Sequence, residues 1–144
     1  MTTKLYDTDF YKWTVSQADL LRNEDYAELD LENLIEEIES MGKRDKRELA
    51  SRLTVLLMHL LKLHYQPERR GNSWLRTTRT QRQKIDLVLK DSPSLRREIP
   101  ALIEYVYPQA RKNATTETEL LLATFPIDCP WTAEQILDGD WLPG

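Results

Sequence analysis

A run of leucines between residues 49 and 63 constrains the fold of this chain more than any other feature of its sequence. The spacing alternates steps of four and three residues through Leu49, Leu53, Leu56, Leu60 and Leu63. This alternation is typical of a helix that packs along one seam. Leu57 and Leu61 widen the apolar face, and Pro67 ends the helix. We therefore predict a long helix at the centre of a helical bundle.

Two apolar patterns predict helices in the first 42 residues. The first helix spans residues 8–22, with Asp7 or Thr8 as its N-cap. The second follows Asp30, another good N-cap, and its apolar side chains recur at the spacing of one helix face. These side chains are Leu31, Leu34, Ile35, Ile38 and Met41. Gly42 then ends, kinks or loosens this second helix.

Capping residues and prolines indicate the helices of the second half of the chain. The pattern predicts helix starts at Ser73, at Ser92 with Pro93, and at Trp131 or Thr132. Pro100 and Pro108 predict short or broken helices rather than one rod. The segment ATTETELLLATF at residues 114–125 predicts a further helix.

The fold class follows from the patterns that are present and from those that are missing. No stretch alternates apolar and polar residues as a half-buried strand does, and four glycines are few for a turn-rich all-β fold. A length of 144 residues is usual for one domain with its own core. We predict an all-α fold in which residues 1–144 form a single helical domain of five or six helices with one long central helix.

Cysteine usage and hydropathy predict the compartment. Cys129 is the only cysteine, so the chain cannot form an internal disulfide. Residues 1–13 carry acids where a signal peptide needs an apolar core. The run from Leu53 to Leu63 is too short to cross a bilayer, and it contains His59. These features predict a soluble cytoplasmic protein with no membrane partner.

Charge is strongly segregated along the chain. Residues 1–42 hold 3 basic and 11 acidic residues, residues 43–97 hold 15 and 5, and residues 98–144 hold 2 and 8. A basic middle segment can be the electrostatic footprint of an anionic partner such as RNA or DNA. It can equally be covered by the acidic ends of the same chain. Charge alone does not decide between these interpretations.

Arg52 and His59 stand within the leucine-rich helix, seven residues apart and therefore on one face. Arginine can hold a phosphate and histidine can move protons, so the pair could promote metal-free cleavage of RNA. Their spacing resembles the arginine–histidine signature of HEPN ribonucleases, which are small helical domains that usually act as dimers. Leu53 departs from that family, which tends to carry a polar residue there. In the alternative interpretation, Glu48 or an acid of the first helix holds the arginine, and the histidine is a hydrogen-bonded helix residue.

Arginines and aromatic residues are interleaved between residues 65 and 84. The candidate binding residues are Tyr65, Arg69, Arg70, Trp74, Arg76, Arg79 and Arg82. Stacking aromatics beside phosphate-binding arginines are typical of a single-stranded nucleic-acid surface. In the alternative interpretation, the arginines form an ordinary exposed helix face and the tryptophan belongs to the core. No sequence pattern indicates a metal site or a cofactor.

Several blocks of the chain resemble the cyanobacterial family known as "domain of unknown function 29". They include YDTDFYKW at 6–13, LDLENLIEEIESMG at 29–42, YQPERRGNSW at 65–74 and QILDGDWLP at 135–143. The resemblance covers nearly the whole chain, with departures at Leu63, where a tryptophan is usual, and Thr78, where an aliphatic residue is usual. It implies an all-helical cytoplasmic protein and implies no activity.

The leading interpretation is a non-catalytic module that binds a protein or a nucleic acid through the basic middle segment. The alternative is a HEPN-like, metal-independent ribonuclease that uses Arg52 and His59. The candidate partners are RNA or DNA, the protein product of a neighbouring gene, and a second copy of the chain.

Overall fold

The computed structural model describes residues 2–144 of the chain, with side chains from Leu5 onward. The helices are α1 (Thr2–Thr8), α2 (Phe10–Arg22), α3 (Leu31–Tyr65), α4 (Asn72–Asp91), α5 (Ile99–Thr118) and α6 (Ala133–Leu137). Short 3-10 turns join several of them, and these residues contain no strand. The all-α prediction, with six helices and one long one, is therefore confirmed. None of the helices in residues 2–144 has both the length and the hydropathy of a membrane span.

Helix α3 is unbroken for 35 residues, or about 52 Å. Gly42 therefore does not end it, although a glycine inside a helix costs about 1 kcal/mol relative to alanine. The chain divides into two compact units within this helix, Met1–Arg44 and Asp45–Gly144. That residues 1–144 form a single domain stays a prediction.

A polar network anchors the first unit. Asp9 caps α2 by accepting the Lys12 amide at 3.1 Å. The indole of Trp13 donates to Asp30 at 3.0 Å, and the Asp30 amide donates to Gln17 at 2.8 Å. The prediction of one helix over residues 8–22 was wrong in its start, because the chain turns at Asp9 and residue 8 ends α1.

The second unit contains the apolar core. Its buried side chains come from α3, α4, α5, α6 and the C-terminal segment, and the predicted leucine seam supplies the largest share. They include Leu49, Leu53, Leu56, Leu60, Leu63, Ile85, Ile103, Val106, Phe125 and Ile136. The family departures also lie in this interior: Leu63 is fully buried and Thr78 is 1% exposed, with its hydroxyl donating to the Trp74 carbonyl.

Several predicted boundaries in the second unit need correction. Helix α4 begins at Asn72 with Gly71 as N-cap, not at Ser73. Helix α5 runs unbroken through Pro108, because the side chains around that proline are buried and their packing offsets one lost helical hydrogen bond. The predicted helix at 114–125 does not form, since α5 ends at Thr118 and the backbone of the next residue is left-handed. The start of α6 at Thr132 is confirmed.

Candidate functional site

Arg52 lies in a groove between α3 and α4. The groove has a volume of about 370 Å³ and is lined by Asp45, Glu48, Arg52, Lys84, Leu87, Val88 and Asp91. The guanidinium is half-buried, and its Nε has no hydrogen-bond partner. No ion pair joins Arg52 to Glu48 in the described part of the chain. Arg52 and Glu48 therefore do not form the ion pair that the alternative interpretation predicts.

His59 lies in the core, with 9% of its surface exposed. Its Nδ1 is 3.1 Å from the Val55 carbonyl, so Nδ1–H donates to the backbone of the preceding turn. Burial lowers the pKa of His59, and nearby Lys62 adds to that effect while the Val55 hydrogen bond opposes it. The imidazole is therefore held neutral at pH 7.

Arg52 and His59 have separate surroundings. They are two helical turns apart, or about 10 Å along the axis of α3. The groove around Arg52 is not lined by His59. Their assignment as catalytic residues stays a prediction, and the contacts of His59 are those of a hydrogen-bonded core histidine.

Two of the candidate binding arginines hold backbone carbonyls near the C-terminus. Arg82 is 5% exposed, and it donates to the carbonyls of Ile136 at 2.9 Å and Gln135 at 3.3 Å. Arg70 donates to the carbonyl of Leu63 at 2.9 Å and to that of Pro143 at 2.7 Å. Both guanidinium groups therefore fasten the end of the chain to the bundle.

The two candidate aromatic residues also have partners within the chain. Tyr65 packs edge-on against Phe125, with ring centroids 5.3 Å apart. The ring of Trp74 lies under the ammonium group of Lys62, at 4.6 Å from the centroid. Both rings are partly buried against the core. Their faces are thus only partly available for stacking on a base.

Three of the candidate binding residues, Arg69, Arg76 and Arg79, remain exposed. None of them forms an ion pair with the residues that the structure describes. Elsewhere the basic middle segment contacts the acidic C-terminal segment, through Lys46 with Glu98 at 2.8 Å and Lys62 with Glu117 at 3.5 Å. The predicted binding residues therefore fall into three groups. Two arginines are bound to backbone carbonyls, two aromatic residues are partly buried against the core, and three arginines are exposed.

An exposed apolar surface lies on the first part of α3, where sequence reasoning placed an amphipathic helix and no binding site. We call it the α3 stripe, and it consists of Leu31 (59% exposed), Ile35 (55%), Ile38 (62%) and Met41 (54%). Contiguous apolar surface of this kind marks interaction sites in soluble proteins. The apolar spacing predicted that these residues share one helix face. No local pattern indicates that this face is left uncovered.

Clustered metal ligands are absent from residues 2–144, where no group of three histidines, cysteines or carboxylates could hold an ion.

Residues 5–142 match the model of the family described as domain of unknown function DUF29. The comparisons with curated proteins and with solved structures give no match.

Proposed function

The chain belongs to the DUF29 family, and we propose that it is a non-catalytic protein-interaction module that joins a second copy of itself through the α3 stripe. The observation that carries this proposal is the exposure of four large apolar side chains at successive turns of one helix. Covering them removes apolar surface from water, at about 25 cal/mol per Å².

The small interior of the first unit supports this proposal. Trp13 is the only apolar residue that is fully buried among the side chains described there, whereas nine large ones are exposed. The nine are Phe10, Tyr11, Val15, Leu21, Tyr26, Leu31, Ile35, Ile38 and Met41. A small interior contributes little hydrophobic stabilisation, so covering the exposed apolar side chains of this unit would stabilise it.

Gly42 supplies a second argument. It lies on the same face of α3 as the stripe, 11 residues and about three turns after Leu31. A Cβ at this position would meet no atom within 4 Å, so no contact inside the chain requires glycine there. A glycine that costs helix stability and has no internal partner would let another helix approach closely.

The charges along α3 favour an antiparallel arrangement of two copies. Acids beside the stripe, such as Glu32, are followed on the same helix by Lys43 and Arg44. With Ile38 on a twofold axis, Ile35 would face Met41 of the second copy, and Glu32 would face its Lys43 and Arg44. Two-fold dimers are the commonest oligomers, and opposite charges at both ends of the contact would fix the register.

The test is the mass in solution of purified full-length protein, measured by light scattering and sedimentation. We expect a dimer at about 50 μM, because an association free energy of roughly −8 kcal/mol corresponds to a dissociation constant of about 1 μM. Ile38→Glu should give a monomer with unchanged helix content. Leu87→Glu is the matched control, because Leu87 is a helical aliphatic residue with nearly the same exposure, 63% against 62%. A wild-type monomer at that concentration, or equal effects of both variants, would overturn the proposal.

A further inference from the structure

A groove runs along one face of α5 in the second unit. It consists of two hollows, of about 410 Å³ and about 310 Å³, which share Pro100 as a lining residue. The α5 residues that line it are Ile99, Pro100, Ile103, Glu104, Tyr107 and Pro108. The opposite wall is formed by residues 127–129 and by α6 with the residue after it. We call this feature the α5 groove.

The dimensions of the α5 groove suit a short extended peptide. From Ile99 to Pro108 the helix rises about 13 Å. An extended chain covers that distance with about four residues, and its side chains alternate between the floor and the solvent. The apolar floor, to which Ile103 and Tyr107 contribute, would take the side chains that point inward.

Pro108 removes one helical hydrogen bond of α5 beside this groove. Because proline has no N–H, it cannot donate to the carbonyl of Glu104, four residues earlier in α5. Both residues line the second hollow.

The rim of the α5 groove is acidic. Glu104, Asp128, Glu134 and Asp138 line it, against one basic residue, Arg96. Within residues 2–144, none of these four acids forms an ion pair. The Asp138 carboxylate accepts the Asp140 amide and interacts with the charge of Arg82. Carboxylates that form no ion pair, beside an apolar floor, favour a ligand that combines positive charge with apolar side chains.

We propose that the α5 groove binds a short extended segment of a partner protein in which basic and apolar residues alternate. The apolar side chains fill the hollows on either side of Pro100, and the lysine or arginine side chains reach the acids of the rim. This binding site is separate from the α3 stripe, and it does not depend on self-association.

The experiment uses a fluorescein-labelled hexapeptide of alternating lysine and leucine, titrated into the full-length protein and followed by anisotropy. A peptide of alternating glutamate and leucine is the charge control. We expect the basic peptide to bind and the acidic one not to bind. Glu104→Gln combined with Asp128→Asn should weaken binding on the order of tenfold, or about 1.4 kcal/mol. Asp86→Asn combined with Asp91→Asn removes the same charge from α4 and should leave binding unchanged.

A second readout locates the peptide. Cys129 is the only cysteine of the chain and lines the second hollow. Burial raises the pKa of the Cys129 thiol, so its reaction with a disulfide reagent is slow and easily followed. Saturating peptide should slow that reaction further by covering the thiol. No binding of the basic peptide, equal effects of the two double variants, or unchanged thiol reactivity at saturation would overturn the proposal.

Discussion

The two halves of α3 have similar apolar spacing and opposite surroundings. Leucines at 49, 53, 56, 60 and 63 are completely buried, whereas Leu31, Ile35, Ile38 and Met41 leave more than half of their surface exposed. Helical periodicity fixes which side chains share a face, but it does not say what the face meets. The second half is covered by other helices of its unit, and the first half has no such cover in its own unit. In the proposed dimer, the second copy would supply the cover that the first half lacks.

The largest expected effect is on the free energy of unfolding, and it is measured by comparing Leu60→Ala with Ile35→Ala. Leu60 is fully buried, so its truncation should cost about 2–5 kcal/mol of unfolding free energy through lost burial and a cavity. Ile35 is 55% exposed, so its truncation should change the stability of the monomer by less than about 0.5 kcal/mol. Urea unfolding, at protein concentrations below the dissociation constant of the dimer, measures both. A large loss in Ile35→Ala under those conditions would mean that the stripe is covered within one chain.

Gly42→Ala should separate folding from association. Alanine should stabilise the helix of the monomer by up to about 1 kcal/mol. If another helix approaches closely, the added methyl group should cost about 1–3 kcal/mol of association, a rise in dissociation constant of roughly fivefold or more. Sedimentation and thermal unfolding measure the two effects.

The control for this substitution is Ser51→Ala. Ser51 is exposed on the second half of α3, away from the stripe in sequence. The alanine there should add helix stability and leave the dissociation constant unchanged. If Gly42→Ala stabilises monomer and dimer alike, no helix lies against Gly42.

His59 should make stability depend on pH. Because burial lowers its pKa, the folded chain binds this proton less readily than the unfolded chain, whose histidine titrates near 6.5. The contribution to stability is therefore full above about pH 6.5 and is lost as the pH falls below it. His59→Gln should flatten the fall in unfolding free energy between about pH 7 and pH 5. His64→Gln, at an exposed position, is the control, and an unchanged slope in His59→Gln would contradict the buried neutral histidine.

The smallest expected effect is the binding of single-stranded RNA by this protein. Since Tyr65 and Trp74 have partners in the chain, only exposed arginines such as Arg76 remain for phosphate contacts. Binding to labelled single-stranded RNA should be weak and should vanish by about 200 mM salt. In the presence of EDTA, neither the wild-type protein nor His59→Ala should cleave the RNA. Tight binding at that salt concentration, or cleavage that His59→Ala abolishes, would instead support the nucleic-acid or ribonuclease interpretation.

Local chemistry made parts of the fold predictable. Thr132 and Gln135 form a capping box that starts α6, and the helix that precedes Pro67 ends at Tyr65. The local rule failed at Pro108, because packing across the bundle offsets the lost hydrogen bond of α5. At Gly42 the sequence left a helix end, a kink or a loosened helix open, and the helix continues because its length outweighs the propensity of one residue.

The candidate site could be predicted less well than the fold. The run of arginines between residues 69 and 82 looked uniform, yet Arg82 is buried on the carbonyl of Ile136, 54 positions later, while Arg79 is exposed. A sequence pattern gives a side chain its charge and its helix face. Its partner comes from a distant segment that no local spacing records.

The sequence by itself determined that this chain is helical, where the leucine-rich half of its long helix lies and which side chains share each face, because these properties depend on residues a few positions apart. Tertiary structure decided which of two similar apolar faces is buried and which arginines, such as Arg82, are fixed on backbone carbonyls of the C-terminal segment. These outcomes depend on which elements of the folded chain reach a given surface, and the α3 stripe is the surface that its own unit leaves uncovered.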